Sequence, residues 1–389
     1  MLNETKSVDH RLGGPVQFGM IIGDVPRDTD PIDQLDGLLA QVEAGQRNNL
    51  KHFVIGQHFL YGDLRWLQPI PTLARLAAEI DDDVRLGITV MLTPLYNPVV
   101  LAEELATLDI MTRGRLDIGL GLGYRSEEFD LLGVPFKQRV SRFEEGFEIM
   151  KLCWTTNEFD HHGQHWDITG ATPHIHPVQR PYPPIWMGAH SRIGARRAGR
   201  VGDRFIIPPE YDIAEMRVRL GIMNHEFAKR GKTLGHQPLR RNMVVGPTTE
   251  AAQEKFVDLV KDRYLTYARK ELDILDEDAL AANFFDSVKD SVVADTPANA
   301  IANLTALCAA LPIDPIIVKP HWPTISSEAA IEILDDLGRE VIPALNEIEP
   351  MPIAEIPAAL APAADEVAAE IAAQDEKQRA KAANRNRSS

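Results

Sequence analysis

Cysteine is scarce in this chain. Cys153 and Cys308 are the only two among 389 residues, and they stand far apart. That excludes a disulfide framework and the paired spacing of a zinc site, so a reducing cytoplasm is the expected home. Basic charge is also in deficit, with 41 Lys and Arg against 57 Asp and Glu, a formal net charge of −16. A surface of that sign argues against nucleic acid or an anionic membrane as the main partner. No apolar run approaches bilayer length, and the opening residues lack the charged-then-apolar pattern of a secretion signal. Two catalytic fingerprints are missing as well. No G-x-S-x-G elbow occurs, and neither cysteine has a nucleophile's local signature. What remains is ordinary globular composition, 44% hydrophobic and 25% charged, enough for one large domain or two smaller ones.

Short β-rich runs alternate with amphipathic helical runs. "VQFGMIIGD" (16–24) reads as a strand, and Ile32, Leu35, Leu38, Leu39 and Val42 then share a helical face. "HFVIGQ" (52–57) and "VRLGITVML" (84–92) are the next strands, with a helix at 69–80 between them. Asn97-Pro98 opens a helix carrying Leu101, Leu105 and Leu108. A fourth strand follows in "RLDIGLGLGYRSEEFDLLG", and Phe143, Phe147, Met150 and Trp154 stripe the helix after it. Further strands are expected at 184–189, 203–208, 241–247 and 315–319, with helices at about 191–200, 213–230, 250–269 and 327–345. Eight strand–helix units imply a parallel sheet with right-handed crossovers, closed into a (β/α)8 TIM barrel with insertion segments. The competing open sheet would prefer a glycine turn after the first strand, and the residues there are Gly23, Asp24, Val25 and Pro26.

Three segments break the rhythm. Residues 158–184 suggest a hairpin and an extended crossing, and 265–298 is long enough to be a lid. The barrel is therefore assigned to 1–348. An Ala/Glu/Lys-rich helical tail is assigned to 349–389, exposed or docked on a partner subunit.

In a barrel, function sits at the carboxyl ends of the strands. Those ends read Gln57-His58-Phe59, Leu92-Thr93-Pro94, Gly121-Leu122-Gly123-Tyr124, Met187-Gly188-Ala189-His190-Ser191 and Lys319-Pro320-His321-Trp322. Gly119, Gly121 and Gly123 alternate, so they share one strand face. Their spacing, G-x-G-x-G, is not that of the dinucleotide turn. Such a face admits either a ligand or crowded protein. Ser191 is an N-cap candidate whose helix could hold an anion such as phosphate or could simply be capped. His58 could act near neutral pH or be structural. His161, His162 and His165 have no carboxylate at a convincing ligand offset, so no metal is expected. Glu127 and Glu128 could be acid/base groups, but solvated first-turn helix residues are the better reading.

"LYNPVVLAEELATLDIMTRGRLDIGLGLGYRSEEFDLLGVPFKQRVSRFEEGFEIMKLCW", with "PVQRPYPPIWMGAHSRIGARRAGRVGD" and "GQHF", closely resembles the bacterial-luciferase-like flavin-dependent oxidoreductases over residues 16 to 345. The resemblance implies a (β/α)8 barrel holding reduced FMN at its carboxyl end. It places Val90, Met91, Leu92, Thr93, Gly121, Gly123, Tyr124, Gly188, Ala189, His190 and Ser191 at the cofactor, with a non-prolyl cis peptide near Val90-Met91 and the glycine face beside the flavin ring. His58 matches the active-site histidine of many members. Phe59, Tyr61, Trp66, His321 and Trp322 would line the substrate pocket.

The implied reaction is monooxygenation through a peroxyflavin, with dioxygen and a small, mostly hydrophobic substrate. Its reduced flavin comes from a separate reductase, and a homodimer is expected. Two alternatives stand beside it. One is hydride transfer with a deazaflavin, although that branch's sugar-phosphate dehydrogenases carry acidic residues where this chain has Gln57 and Tyr124. The other is a flavin-binding protein without catalysis.

Overall fold

The computed structural model describes residues 14–271, 284–323 and 325–388. Nine parallel strands form its principal sheet: β1 (Phe18–Ile22), β2 (His52–Ile55), β3 (Arg85–Leu92), β4 (Leu116–Gly121), β5 (Ile185–Gly188), β6 (Arg204–Ile206), β7 (Gln237–Val245), β8 (Val292–Asp295) and β9 (Ile313–Val318). Their spatial order is β6-β5-β4-β3-β2-β1-β9-β7-β8. Ile207, just past β6, bridges in parallel to Leu239 of β7. Its N–H donates to Pro238 O at 2.8 Å and its carbonyl accepts from Arg240 N at 2.9 Å. That bridge joins the two ends of the run and completes a ring of eight, as the sequence rhythm predicts.

β8 is outside that ring count. β7 pairs with β9 through Gln237–Arg241 and with β8 through Asn242–Val245, so one long strand serves two neighbours. The segment 265–298 therefore contains a sheet strand where a lid is expected. Residues 272–283 of that segment lie outside the described residues. The residues "VVAD" lie inside a long segment of mixed character, which hides them as a strand.

Helices wrap the ring: α1 (Pro31–Arg47), α2 (Pro69–Leu76), α3 (Pro98–Met111), the short α4 (Ser126–Leu131), α5 (Arg139–Thr155), α6 (Arg192–Val201), α7 (Ile213–Lys229), α8 (Thr249–Glu271), α9 (Pro297–Ala310) and α10 (Ser327–Glu340). Their starts follow local chemistry. Asp30, Asn97, Ser191, Asp212, Thr296 and Ser326 each accept a first-turn N–H, and Pro31, Pro98 and Pro297 fill a position that needs no N–H. The predicted hairpin forms between Phe159–His162 and Asp167–Ala171. Its turn is held by Glu145, which accepts from the N–H groups of Gln164, His165 and Trp166.

The tail is helical, as expected, but it docks on its own barrel. Its helix α11 (Ala364–Ser388) packs Val367 and Ile371 against Val218 and Ile222 of α7. Arg192 reaches Glu366 at 2.7 Å and Arg196 reaches Asp375 at 2.7 Å. The reason is complementarity across more than a hundred residues, which a solvated Ala-rich helix does not advertise locally.

The ring interior is layered. Ile21, Val54, Val90, Trp186, Ile206 and Ile317 come from six different strands and form an apolar cluster separate from the main core. Below it lies a charged layer at the amino end. Arg85 grips Asp117 with two hydrogen bonds, at 2.8 and 2.9 Å. Burial would push the Asp117 carboxyl up, but Arg85 holds it below its ordinary range. His52 bonds Gln17 at 2.9 Å, and its ring lies 6.4 Å from Trp186. Burial pushes His52 down to about 3, with Arg85 and Arg204 adding to it and Asp117 opposing.

A depressed histidine stays neutral in the fold while the unfolded chain takes up a proton. The stability it carries is whole above pH 6.5 and drains as pH falls toward 3. Urea melts between pH 6.5 and 4.5 should show His52→Leu with a shallower acid limb than the parent, by up to about 1.4 kcal/mol per pH unit. Superimposable limbs would mean His52 takes its proton in the folded state too.

Candidate active site

The carboxyl end of β2 turns into Gly56, Gln57, His58 and Phe59. Gln57 is buried and committed to structure. Its oxygen accepts Leu92 N at 2.9 Å, and its amide donates to Gln68 at 3.0 Å and to the Tyr96 hydroxyl. It thereby ties the end of β2 to the end of β3. His58 faces the barrel mouth with its side chain 18% exposed. Tyr61 and Trp66 stand 4.8 Å from its ring, and Tyr124 stands 5.9 Å away. Three aromatic rings thus surround the imidazole and exclude water from most of it.

The reading of Glu127 and Glu128 as a solvated pair needs correction. Glu127 is exposed, with 66% of its side chain in solvent, whereas Glu128 has 1%. Glu128 Oε1 lies 3.0 Å from His58 Nδ1 and accepts Phe59 N–H at 2.8 Å. The six-residue helix α4 turns Glu128 and Phe129 inward together. Nothing in "SEEF" distinguishes the inward glutamate from the outward one. Only the buried Phe129 beside it could have hinted at the inward face.

The end of β3 is irregular. Its pairing with β4 shifts register between Ile88 and Met91, and the Thr89–Val90 peptide is cis, one bond earlier than expected. The displaced Val90 side chain occupies the glycine face. A Cβ at Gly121 would lie 2.4 Å from Val90 Cγ2, and one at Gly188 would lie 2.8 Å from Val90 Cγ1. A Cβ at Gly119 would lie 1.9 Å from the Ile88 carbonyl oxygen. Gly123, at φ +75°, sits against Phe129. The glycines therefore make room for the β3 irregularity and for Phe129. The face expected to be bare beside the flavin is occupied by Val90, the Ile88 carbonyl and Phe129.

At the end of β5, Ser191 caps α6 and its hydroxyl accepts Gly194 N–H at 3.2 Å. Gly188 and Ala189 leave the turn open, and the Tyr211 hydroxyl donates to the His190 carbonyl at 3.0 Å. Arg192, the first residue of α6, bonds Glu215 at 2.5 Å and pairs with Glu366. Those carboxylates raise its pKa above the usual guanidinium range. A phosphate at this turn would accordingly meet backbone N–H groups and the Ser191 hydroxyl, with Arg192 already engaged. Such a donor set fits a phosphate tail.

At the end of β9, His321 packs on Gly23, where a Cβ would lie 2.7 Å from its Nδ1. Trp322 is fully buried, 6.2 Å from Phe256, within the main core. Beside them Lys319 and Asp24 form a buried ion pair at 3.3 Å. Phe59 stands 6.1 Å from Tyr96. Met91 and Thr93 are buried at the end of β3. Among the described residues, no group of three or more His, Cys, Asp or Glu could hold a metal ion. None of the described helices is long and apolar enough to cross a membrane.

A family profile, luciferase-like monooxygenase, matches residues 16–296. The oxygenase component of a flavin-dependent trigonelline monooxygenase from Acinetobacter baylyi is 30% identical over 156 residues, 40% of this chain and 43% of that protein. An F420-dependent glucose-6-phosphate dehydrogenase from Nocardia farcinica is 36% identical over 129 residues, 32% of this chain and 38% of that protein. The chain thus spans less than half the length of the curated relatives it matches. Among solved structures, the FMN complex of the oxygenating constituent of 3,6-diketocamphane monooxygenase from Pseudomonas putida is similar, with TM-score 0.71 and 16% identity. That match covers 85% of this chain and 98% of the other. At that identity the likeness establishes the fold alone. The profile spans well over half the sequence, and the chain is an enzyme that belongs to the luciferase-like monooxygenase family.

Proposed function

We propose that the chain is the oxygenase component of a two-component system. It takes reduced FMN from a separate flavin reductase, with dioxygen and a small organic substrate as co-reactants. The observation that carries this reading is the convergence at one barrel end of three features: a histidine anchored by a buried carboxylate, the irregular end of β3, and the capped N-terminus of α6. When bound, reduced FMN supplies the two electrons that activate dioxygen. The protein's own contribution is positional. Val90 and the β3 bulge support the ring, while Gly188 to Ser191 hold the phosphate. The aromatic wall of Tyr61, Trp66 and Tyr124 keeps water out, so that reduced oxygen is not lost as hydrogen peroxide. His58 Nε2 is the ring nitrogen available to the reacting groups, since Nδ1 is engaged by Glu128. Leu60, Tyr61 and Trp66 favour an apolar body for the substrate, with Lys319 and Asp24 as a polar boundary at β9 and β1. A homodimer is part of the same reading.

Hydride transfer with the deazaflavin F420 is the second reading, favoured by the Nocardia relative's 36% identity. Gln57 weighs against the sugar-phosphate substrate, because its amide is spent on Gln68, Tyr96 and Leu92. Anaerobic titration with reduced FMN and, separately, reduced F420 distinguishes the two. Reduced FMN should bind at least about tenfold more tightly, a difference of about 1.4 kcal/mol, and admission of air with a substrate panel should yield oxygenated product. Binding of F420 alone would reverse the assignment. FMN bound without turnover of any substrate would leave a flavin-binding protein.

A further inference from the structure

We propose that Glu128 is a positioning residue: through Nδ1 it holds neutral His58 as the Nδ1–H tautomer, so that Nε2 meets the reacting groups as a hydrogen-bond acceptor. The mechanistic meaning rests on the proposed function, but the tautomer itself does not.

The argument is one of donors and acceptors. An ionised carboxylate only accepts hydrogen bonds. Glu128 Oε1 already accepts the Phe59 N–H at 2.8 Å, and His58 Nδ1 lies 3.0 Å from the same oxygen. The second partner must also be a donor, so Nδ1 carries the proton. In a neutral imidazole the other nitrogen then keeps its lone pair. The ring cannot readily flip to exchange its nitrogens, because Tyr61 and Trp66 both stand 4.8 Å from it on the barrel-mouth side. Gln68 fixes the backbone as well, donating from its amide to the His58 carbonyl at 3.1 Å.

Glu128 Oε2 is buried and finds no hydrogen-bond partner among the described residues. A half-satisfied buried carboxylate is costly. Glutamine or a hydrophobic residue would fill this position at lower cost if the site needed only packing or one acceptor for Phe59. What imposes a proton on Nδ1 is an oxygen placed to accept from both Phe59 N–H and the ring, which a hydrophobic residue lacks.

The test labels the protein with 15N-histidine and identifies the His58 ring signals by their loss in His58→Gln. At pH 8, where ordinary imidazoles are neutral, parent His58 should give a protonated Nδ1 and an unprotonated Nε2. Glu128→Met should lose that pattern and gain Nε2–H. Glu128→Gln, whose carbonyl can still accept both donors, should restore it. A parent spectrum showing Nε2–H overturns the proposal outright, even if Glu128→Met fails to fold. So does an unchanged tautomer in folded Glu128→Met.

Kinetics supply a second, separable arm. Where turnover is measurable, Glu128→Met should lower kcat by about tenfold or more with little change in substrate KM. Added to His58→Ala it should cost nothing further, because the two act as one unit. Additive losses would overturn the proposal. Absence of turnover in the parent protein would count against the oxygenase reading and leave the spectra to decide the tautomer.

Discussion

Gly121→Ala should destabilise the protein and weaken FMN binding, and Val90→Ala in the same chain should restore the stability. The added methyl would sit 2.4 Å from Val90 Cγ2 and 3.3 Å from Val90 Cβ. Val90 is β-branched and stiff at χ1. Toward β5 its Cγ1 already fills the space that a Gly188 Cβ would need, 2.8 Å away. Overpacking of this kind costs about 1–3 kcal/mol. The strain would fall on the irregular end of β3, the proposed flavin shelf. Trimming Val90 removes the colliding atom, so the double variant should regain most of the loss in urea melts, while FMN binding stays weak because the side chain proposed to support the ring is gone. Gly119→Ala is the contrasting case. Its methyl would lie 1.9 Å from the Ile88 carbonyl oxygen, a backbone atom that no side-chain change can move. That variant should stay poorly folded with or without Val90→Ala. If Val90→Ala leaves Gly121→Ala uncorrected, the glycine serves a ligand directly and the packing explanation is wrong.

The same residues mark how far the sequence could be read. Period two correctly put Gly119 and Gly121 on one strand, but Gly123 lies past its end at φ +75°, and periodicity is silent on what fills the vacated space. The occupant comes from β3, a strand more than 25 residues away, and from a register shift that no local pattern encodes. The eight ring strands were legible because each is a run of apolar, β-branched residues bounded by turn chemistry. β8 was not, because "VVAD" lies inside 265–298, a long segment of mixed character that reads as one connection. The tail's helix was legible from its Ala-rich composition. Its docking was not, since the salt links to Arg192 and Arg196 depend on tertiary placement. His58 was identified as a candidate from its place at a strand end. Its partner was missed because Glu127 and Glu128 differ only in which way a six-residue helix turns them. Burial, a tertiary quantity, makes one of them solvent-facing and the other part of the site.

His58→Ala should abolish most turnover while sparing the fold, and the size of each effect follows from the site. A positioned histidine working with a proton or a hydrogen bond contributes about 10²–10⁴-fold to rate. Its removal should therefore cost product formation by that factor in an assay supplied with reduced FMN. The structural cost is smaller. Glu128 loses one donor but keeps the Phe59 N–H, and the imidazole is partly exposed at the mouth, so about 1 kcal/mol is expected. Dioxygen consumption should fall less than product formation, with the difference appearing as hydrogen peroxide, because the gap left by the imidazole admits water between Tyr61, Trp66 and Tyr124. That divergence separates a chemical role from a binding one, since a variant that merely bound flavin poorly would lose both in parallel. Turnover equal to the parent's would remove His58 from the reaction. It would also leave Glu128 as a buried carboxylate whose only task is to hold the end of β2.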